Sequence, residues 1–336
     1  MPLIQPSHMI DQITDVLMAH HCGASQARSV AEALTKAEID GKKGHGLSRV
    51  PSYAAQAKSG KVDGMARPVS RIMKPSVLAI DAGFGFAYPA FDMMMDELPA
   101  MARQQGLAMA GVSRSHHYGV AGHHVERAAD QGMVALLFGN TPAAMAPWGG
   151  KTPLFGTNPI AFAAPIAGSI PMVIDLATSK VARGNIMAAH QRGETIPDDW
   201  ALDQDGNPTV DPAQALKGSM RPLGDAKGAA LALMIEVLAA ALTGAGFGYQ
   251  ASSFFEAEGP APNVGQLMLM IDPDVMSDGA DGFSGRLAAL AAAIIDDGGR
   301  IPGHARMDKR IRAEADGVEV DSGIWQTITA MADGAS

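Results

Sequence analysis

Ala79-Ile80-Asp81-Ala82-Gly83-Phe84-Gly85-Phe86-Ala87-Tyr88 is the stretch on which the fold turns. A β-type run, residues 77–80, leads into it and a helical run, residues 87–105, leads out. That is the position of the phosphate-binding turn in a doubly wound nucleotide fold. Here the third glycine of the turn is replaced by Tyr88, and Pro89 follows. The next β-type run closes on Gly111-Val112-Ser113, without the carboxylate that holds a ribose in such folds. The other glycine cluster, Gly244-Ala245-Gly246-Phe247-Gly248, follows a helical run rather than a strand. The conventional fingerprint is therefore missing, and any dinucleotide bound here must be held by another architecture.

On either side the texture is that of a mixed α/β chain. Before residue 60 the pattern is helical: Ser7 is placed to cap a helix with Ile10, Ile13 and Leu17 on one face. Ser25 is placed to cap a second, bearing Val30, Ala31, Leu34 and Ala37. A short helix is predicted over residues 52–58. From residue 76 onward β-type runs at 77–80, 107–112, 133–138, 160–164, 171–174 and 267–271 alternate with helical ones. The latter cover 87–105, 121–131, 177–189, 227–242 and 285–296. The tail, residues 330–336, reads as frayed.

Composition narrows the function classes. The 336 residues are 47% hydrophobic and 18% charged, with 38 Gly and 21 Met, so a sizeable core of small and flexible side chains is expected. Lys and Arg number 26 against 35 Asp and Glu, a net charge of −9, which argues against nucleic acid as partner. Residues 1–20 include Asp11 and Asp15 and do not read as a signal peptide. No apolar run approaches the ~20 residues that span a bilayer. One cysteine, Cys22, excludes an internal disulfide, suits a reducing compartment and reads as a packed thiol. A soluble cytoplasmic protein is expected.

Four stretches could carry chemistry. Ser113-Arg114-Ser115-His116-His117-Tyr118-Gly119-Val120-Ala121-Gly122-His123-His124 lies where a strand gives way to a helix. Its histidines could pass a proton near neutral pH, ligate a metal, or simply be packed. In Lys42-Lys43-Gly44-His45-Gly46-Leu47-Ser48-Arg49, a loop offers a second proton carrier and a guanidinium fork suited to a carboxylate, or is only a solvated turn. The long loop Ala146-Pro147-Trp148-Gly149-Gly150-Lys151-Thr152-Pro153-Leu154-Phe155-Gly156-Thr157-Asn158-Pro159 is a candidate binding loop or a structural corner. Asp175-Leu176-Ala177-Thr178-Ser179 ends a strand, where a carboxylate can orient a histidine and hydroxyls can meet phosphate or cap a helix. Lys227 stands at another helix start.

Taken together, and in this order along residues 40–302, these blocks resemble the malate/L-lactate dehydrogenase family that is unrelated to the Rossmann dehydrogenases. Gly44 through Tyr53, Ser115 through Gly122, Pro147 through Pro159 and Asp175 through Gly184 carry the likeness. The resemblance implies a homodimer that oxidises a small 2-hydroxy acid, or reduces the 2-oxo acid, with NAD or NADP. It implies a non-Rossmann, largely antiparallel cofactor domain (residues 76–270). The helical part would be built from residues 1–75, with residues 271–336 packing back on it. It further implies His117 as proton carrier, with His45 as the alternative, and Asp175 orienting a histidine. Arg49 would grip the carboxylate, and His116 would meet substrate. Asn140, Thr157, Asn158, Asp175, Leu176, Ala177, Ser179 and Lys227 would lie along the cofactor, and no metal is implied.

One departure bears on substrate. Many relatives have serine before the loop histidine where this chain has Gly44, which turns the expectation from cyclic imines such as pyrroline-2-carboxylate or piperideine-2-carboxylate toward oxo acids. Phe138-Gly139-Asn140-Thr141-Pro142 and Ala251-Ser252-Ser253-Phe254-Phe255 look more similar to the sulfolactate dehydrogenase branch. A dianionic substrate needs further cations, for which Lys42, Lys43 and Arg183 are candidates.

Overall fold

The computed structural model describes residues 1–277 and 282–332. Of the tail expected to fray, residues 333–336 lie outside the described residues. The centre is a seven-stranded sheet: β1 (Val69–Lys74), β2 (Val77–Asp81), β3 (Leu107–Ser115), β4 (Val134–Gly139), β5 (Ile160–Ala164), β6 (Met172–Leu176) and β7 (Val264–Ile271). Their order is β1-β2-β3-β7-β4-β5-β6, and only β2 and β3 run parallel. This is the mixed α/β, largely antiparallel sheet expected without the glycine fingerprint.

Alternation explains how β7 holds the centre. Met268 and Met270 point into a core with helices α4 (Tyr88–Gln105) and α5 (Ala121–Asp130), while Leu267 points to the opposite face. There it meets Phe138, Ile235 and Ala239 near the π-helical turn Glu236–Ala241. Each large apolar side chain so buried contributes roughly 1.5–3 kcal/mol. Gln266, fully buried on the α4–α5 side, is the polar exception and donates to the carbonyl of His116 (3.4 Å).

A second core joins the two ends of the chain. Met9, Ile13, Val16 and Leu17 of helix α1 (Pro6–Ala19) pack with Leu34 of α2 (Ala24–Ile39) and Tyr53 of α3 (Val50–Ser59). Val318, Val320 and Ile328 from the far end close the same cluster. Leu3–Ile4 also pairs antiparallel with Val318–Glu319. Of the boundaries expected from the sequence, 75/76 falls in the turn of the β1–β2 hairpin, and 270/271 falls inside β7.

Three local expectations are corrected. Strand β1 was not anticipated; it is a sheet edge whose Val69 and Ile72 are 66% and 64% exposed, with Arg71 and Lys74 among them, so it carries no burial pattern. Ser7 and Ser25 lie inside their helices, which start one residue earlier behind the extended residues Gln5 and Gly23. The helix predicted from residue 177 begins at Arg183, because Thr178 and Ser179 spend their hydroxyls on the carbonyls of Thr157 and Val181. Among the described residues no helix is long and apolar enough to cross a membrane.

Candidate active site

His116 and His117 lie between β3 and α5, and the chain reaches them through a distortion. Pairing of β3 with β7 shifts register between Val264 and Gln266, opposite Ser115 and Val112, so the end of β3 bulges. Arg114 in the bulge takes a positive φ of 49° and is held by its ion pair with Asp81 and by the face of Phe84. Beyond the histidines the turn needs glycine: Gly119 has φ 71°, and a Cβ there would stand 2.8 Å from the Tyr88 hydroxyl.

Three elements then enclose His117. Its Nδ1 shares a short hydrogen bond with the Tyr53 hydroxyl of α3, and that hydroxyl meets the Tyr88 hydroxyl of α4 at 3.2 Å. The His45 ring stacks on His117 at 5.3 Å, and Phe254 stands 5.1 Å away on another side. Among the described residues Nε2 of His117 has no protein hydrogen bond, and it is not sealed in the interior. Burial foremost, then the positive charge of Arg49, pushes His117 well below the ordinary imidazole range. The same causes bring His45 down to about 4. Both rings are neutral at pH 7, and a neutral ring with an open nitrogen can take a proton or give one.

Arg49 supplies the charge. Its Nε donates to the Gly44 carbonyl (2.7 Å) and its guanidinium lies 4.4 Å over the Phe255 ring. One terminal nitrogen is buried without a partner, and among the described residues no carboxylate lies within 4.0 Å. An unpaired, partly buried guanidinium beside two neutral imidazoles is chemically suited to receive an anion. Lys42 and Lys43 are exposed on the same loop. Arg183 lies elsewhere, directed at the Leu216 carbonyl.

The loop carrying His45 and Arg49 is anchored from behind. Gly46 packs so tightly on Glu38 that any Cβ would collide with the carboxylate, which accepts the N–H of Leu47 (3.0 Å). Asp40, just before the loop, accepts from His123 (2.8 Å) and from Arg310 (2.7 Å). Arg310 also reaches Glu126 (2.9 Å), as do Lys36 (3.0 Å) and Arg306 (3.2 Å). Burial alone would raise both carboxyls, but these donors hold Asp40 and Glu126 below the usual carboxylate range.

The loop that carries Phe254 and Phe255 is tied down by two buried groups nearly 200 residues away. Gln56 donates to the carbonyls of Phe254 and Glu256 (both 2.9 Å), and the Lys61 ammonium to those of Ser253 (2.7 Å) and Glu256 (2.9 Å). His116 faces inward against Tyr53, Phe86 and Phe254, 1% exposed, and among the described residues neither ring nitrogen is bonded. Burial takes its pKa down to about 3. Cys22, also buried, has its thiol pushed up to about 12 by desolvation and is a packing residue.

With this geometry in view, comparison with known proteins is decisive. A family model described as malate/L-lactate dehydrogenase matches residues 4–329. The chain belongs to the malate/L-lactate dehydrogenase family. It is 51% identical over 309 residues to the (2R)-3-sulfolactate dehydrogenase (NADP(+)) of Chromohalobacter salexigens, covering 91% of each chain. It is 37% identical to a Delta(1)-pyrroline-2-carboxylate reductase of Burkholderia multivorans, over 95% of this chain and 94% of that one. The solved delta1-piperideine-2-carboxylate reductase from Pseudomonas syringae superposes with a TM-score of 0.93 at 35% identity, over 98% of this chain and all of the other.

Within this dehydrogenase-family chain the remaining expected residues fall into two groups. Thr157, Ala177 and Ser179 converge with the start of the helix Ala226–Ile235. The Thr157 carbonyl accepts from Thr178 N (2.9 Å), and the Thr178 carbonyl accepts from Leu223 N (2.7 Å). Leu176 and Lys227 are exposed there. Asn140 and Asn158, expected along the cofactor, turn their side chains away from the surface. Both are fully buried, and their amides are consumed internally. Asn158 donates to Glu236 (2.9 Å) and to the Ala232 carbonyl (3.1 Å), and Asn140 to Glu236 (3.3 Å) and the Gly246 carbonyl (2.8 Å). Glu236 is thus the hub of a polar knot under the 140–158 loops. Asp175 is also placed differently from expectation: its carboxylate accepts Gly122 N (2.9 Å) at the start of α5, not a histidine. Among the described residues no group of three or more His, Cys, Asp or Glu is arranged to hold a metal ion.

Proposed function

We propose that the protein is an NADP-dependent dehydrogenase of a small 2-hydroxy acid bearing a second anionic group, of the (2R)-3-sulfolactate kind. The observation that carries the reading is the unpaired Arg49 guanidinium beside the His45–His117 pair, in a chain 51% identical to a relative of that name. Arg49 holds the substrate carboxylate through its free N–H groups. His117 takes the hydroxyl proton at Nε2 in oxidation and returns it in reduction. His45 packs on His117 and completes the wall. Lys42 and Lys43, on the loop of His45, supply charge for the second anion.

The corner at Thr157, Asp175–Ser179 and Lys227 fits a dinucleotide. It offers an exposed sheet-edge strand, a half-buried threonine, and a free ammonium at the N-terminus of a ten-residue helix, where phosphate is favoured. Thr157, Leu176, Ala177, Ser179 and Lys227 would hold it. When bound, the nicotinamide supplies or accepts the hydride. The reading extends to a homodimer in the cytoplasm, with a cofactor unit around the sheet and a helical unit from the chain ends.

A second reading, reduction of a cyclic imine, is favoured by the likeness to the piperideine-2-carboxylate reductase. Initial rates with NADP(H) and NAD(H) on sulfolactate, malate, lactate and pyrroline-2-carboxylate separate the two. The first reading requires sulfolactate to exceed the imine in kcat/KM by at least about tenfold, and the reverse order refutes it. His117→Ala should lower turnover at least ~100-fold on the true substrate. Gly44→Ser, where a Cβ meets nothing within 4 Å, should raise imine reduction.

A further inference from the structure

His117 lies between Tyr53, His45 and Phe254, and substrate and cofactor would cover the side on which Nε2 is open. A proton taken there needs a way out. The ring cannot store it: burial, Arg49 and the neighbouring His45, His116 and His124 all disfavour an imidazolium. Tyr53 on α3 and Tyr88 on α4 complete the set of polar groups around it, and both are almost wholly buried.

Behind the ring the hydrogen bonds continue. His117 Nδ1 meets the Tyr53 hydroxyl, which meets the Tyr88 hydroxyl at 3.2 Å. Tyr88 in turn lines a cavity of about 280 Å³ between α2, α4 and α5, together with Ser29, Lys36, His123 and Arg127. The side chains of Lys36 and Arg127 at its rim are 35% and 37% exposed, so the cavity communicates with solvent. Gly119 leaves the space in which the Tyr88 hydroxyl sits.

We propose that Tyr53 and Tyr88 relay the proton of each turnover between His117 and this cavity, away from the substrate side. The proposal rests on the assignment of His117 as proton carrier. In oxidation the substrate hydroxyl proton moves to His117 Nε2 as the hydride leaves for the oxidised nicotinamide. The Nδ1 proton passes to the Tyr53 oxygen, the Tyr53 proton to the Tyr88 oxygen, and the Tyr88 proton to solvent in the cavity. Each group gains one proton and loses one, and all three end neutral, with His117 changed from its Nδ1–H to its Nε2–H tautomer. Once product leaves and Nε2 is open, solvent returns the ring to the Nδ1–H form for the next oxidation. Reduction runs the same chain backwards. A buried neutral histidine can then serve as acid and as base without ever holding net charge.

The test uses the full-length enzyme and the variants Tyr53→Phe and Tyr88→Phe. The latter removes a hydroxyl whose only hydrogen bond among the described residues is the one to Tyr53, so it should fold. Tyr88→Phe should lower kcat by about 10–100-fold with KM changed less than about threefold, a share of the general acid–base effect. The proton inventory of kcat in mixed H2O and D2O should be curved in the wild type and straight in the variant. Independently of turnover, 15N spectra of histidine-labelled apo protein should show His117 neutral at pH 6, with its Nδ1 resonance displaced in Tyr53→Phe and kept in Tyr88→Phe. Wild-type kcat and a curved inventory in Tyr88→Phe, alongside an inactive His117→Ala, would overturn the relay and leave the dehydrogenase reading standing. A wild type inert with every nicotinamide pair tested would overturn both.

Discussion

Replacing Arg49 by Met separates activity from stability in this fold. The change keeps the stem over Phe255 and removes the guanidinium. Three losses and gains enter the stability balance. The hydrogen bond to the Gly44 carbonyl goes, worth about 1 kcal/mol, and so does the cation–π contact, worth about 0.5–1 kcal/mol. Against them, a buried guanidinium nitrogen with no partner no longer has to be desolvated, a relief of about 1–3 kcal/mol. The net change in unfolding free energy should lie within about 1 kcal/mol of zero. Activity behaves otherwise, because two charge-assisted bonds to a carboxylate at about 1.5–3 kcal/mol each correspond to a fall in kcat/KM of roughly 100-fold or more. The charge of Arg49 also helps hold His45 and His117 down after burial, so the acid limb of the kcat/KM profile should move to higher pH in the variant. Urea titration alongside steady-state kinetics from pH 5 to 9 measures all three. A variant that loses more than about 2 kcal/mol, or keeps its kcat/KM, would refute the picture of Arg49 as an unpaired anion receptor.

The anchor behind the loop gives a pH-dependent prediction. Arg310→Met should cost about 1.5–3 kcal/mol, because Asp40 keeps His123 and the more distant Arg306, and Glu126 keeps Lys36 and Arg306. Both carboxyls have depressed folded pKa values, so their stabilisation is present above the unfolded value near pH 4 and lost as pH falls through the folded ones. Wild type should therefore lose stability more steeply than the variant below pH 4, as seen in melts at pH 7, 4 and 3. Gly139→Ala drives a methyl into the Tyr118 hydroxyl and should destabilise by about 1–3 kcal/mol in the same melts. In Glu236→Gln an NH2 group faces the amide of Asn158 or the N–H of Gly248, at a cost of about 1–3 kcal/mol. The Michaelis constant for NADP should rise while turnover changes little.

What was legible in the sequence is what repeats or clusters along the chain. The buried strands showed as runs of Val, Ile, Leu and Ala, and β5 falls on the residues expected for it. His45, Arg49, His116 and His117 were singled out because glycine-flanked polar residues stand out in an otherwise apolar chain, and the structure brings them together around Tyr53 and Phe254. Edge strand β1 had no burial pattern to read. Glu236 sits in an apolar helical run with no local signal of a role, yet in three dimensions it receives two asparagines and a glycine N–H. The resemblance placed the asparagines along a cofactor, and nothing in the local string shows that their amides face a carboxylate. Tyr53 lay inside a quoted motif without a role, and Gln56 and Lys61 carried no local signal. Their partners sit 192 to 200 residues on, a separation that no periodicity records.

The clamp on Asp40 also has a meaning in time. Arg306 and Arg310 reach back across some 270 positions to steady the loop of His45 and Arg49. A ribosome adding about 5–20 residues per second needs well over ten seconds to go from that loop to its clamp. Until the arginines emerge, Asp40 and Glu126 lack their principal cations, and the loop of His45 and Arg49 is held only by Glu38 and, through Asp40, by His123. The nascent chain should thus be silent toward its substrate until synthesis is nearly complete, with no separate inhibitor required.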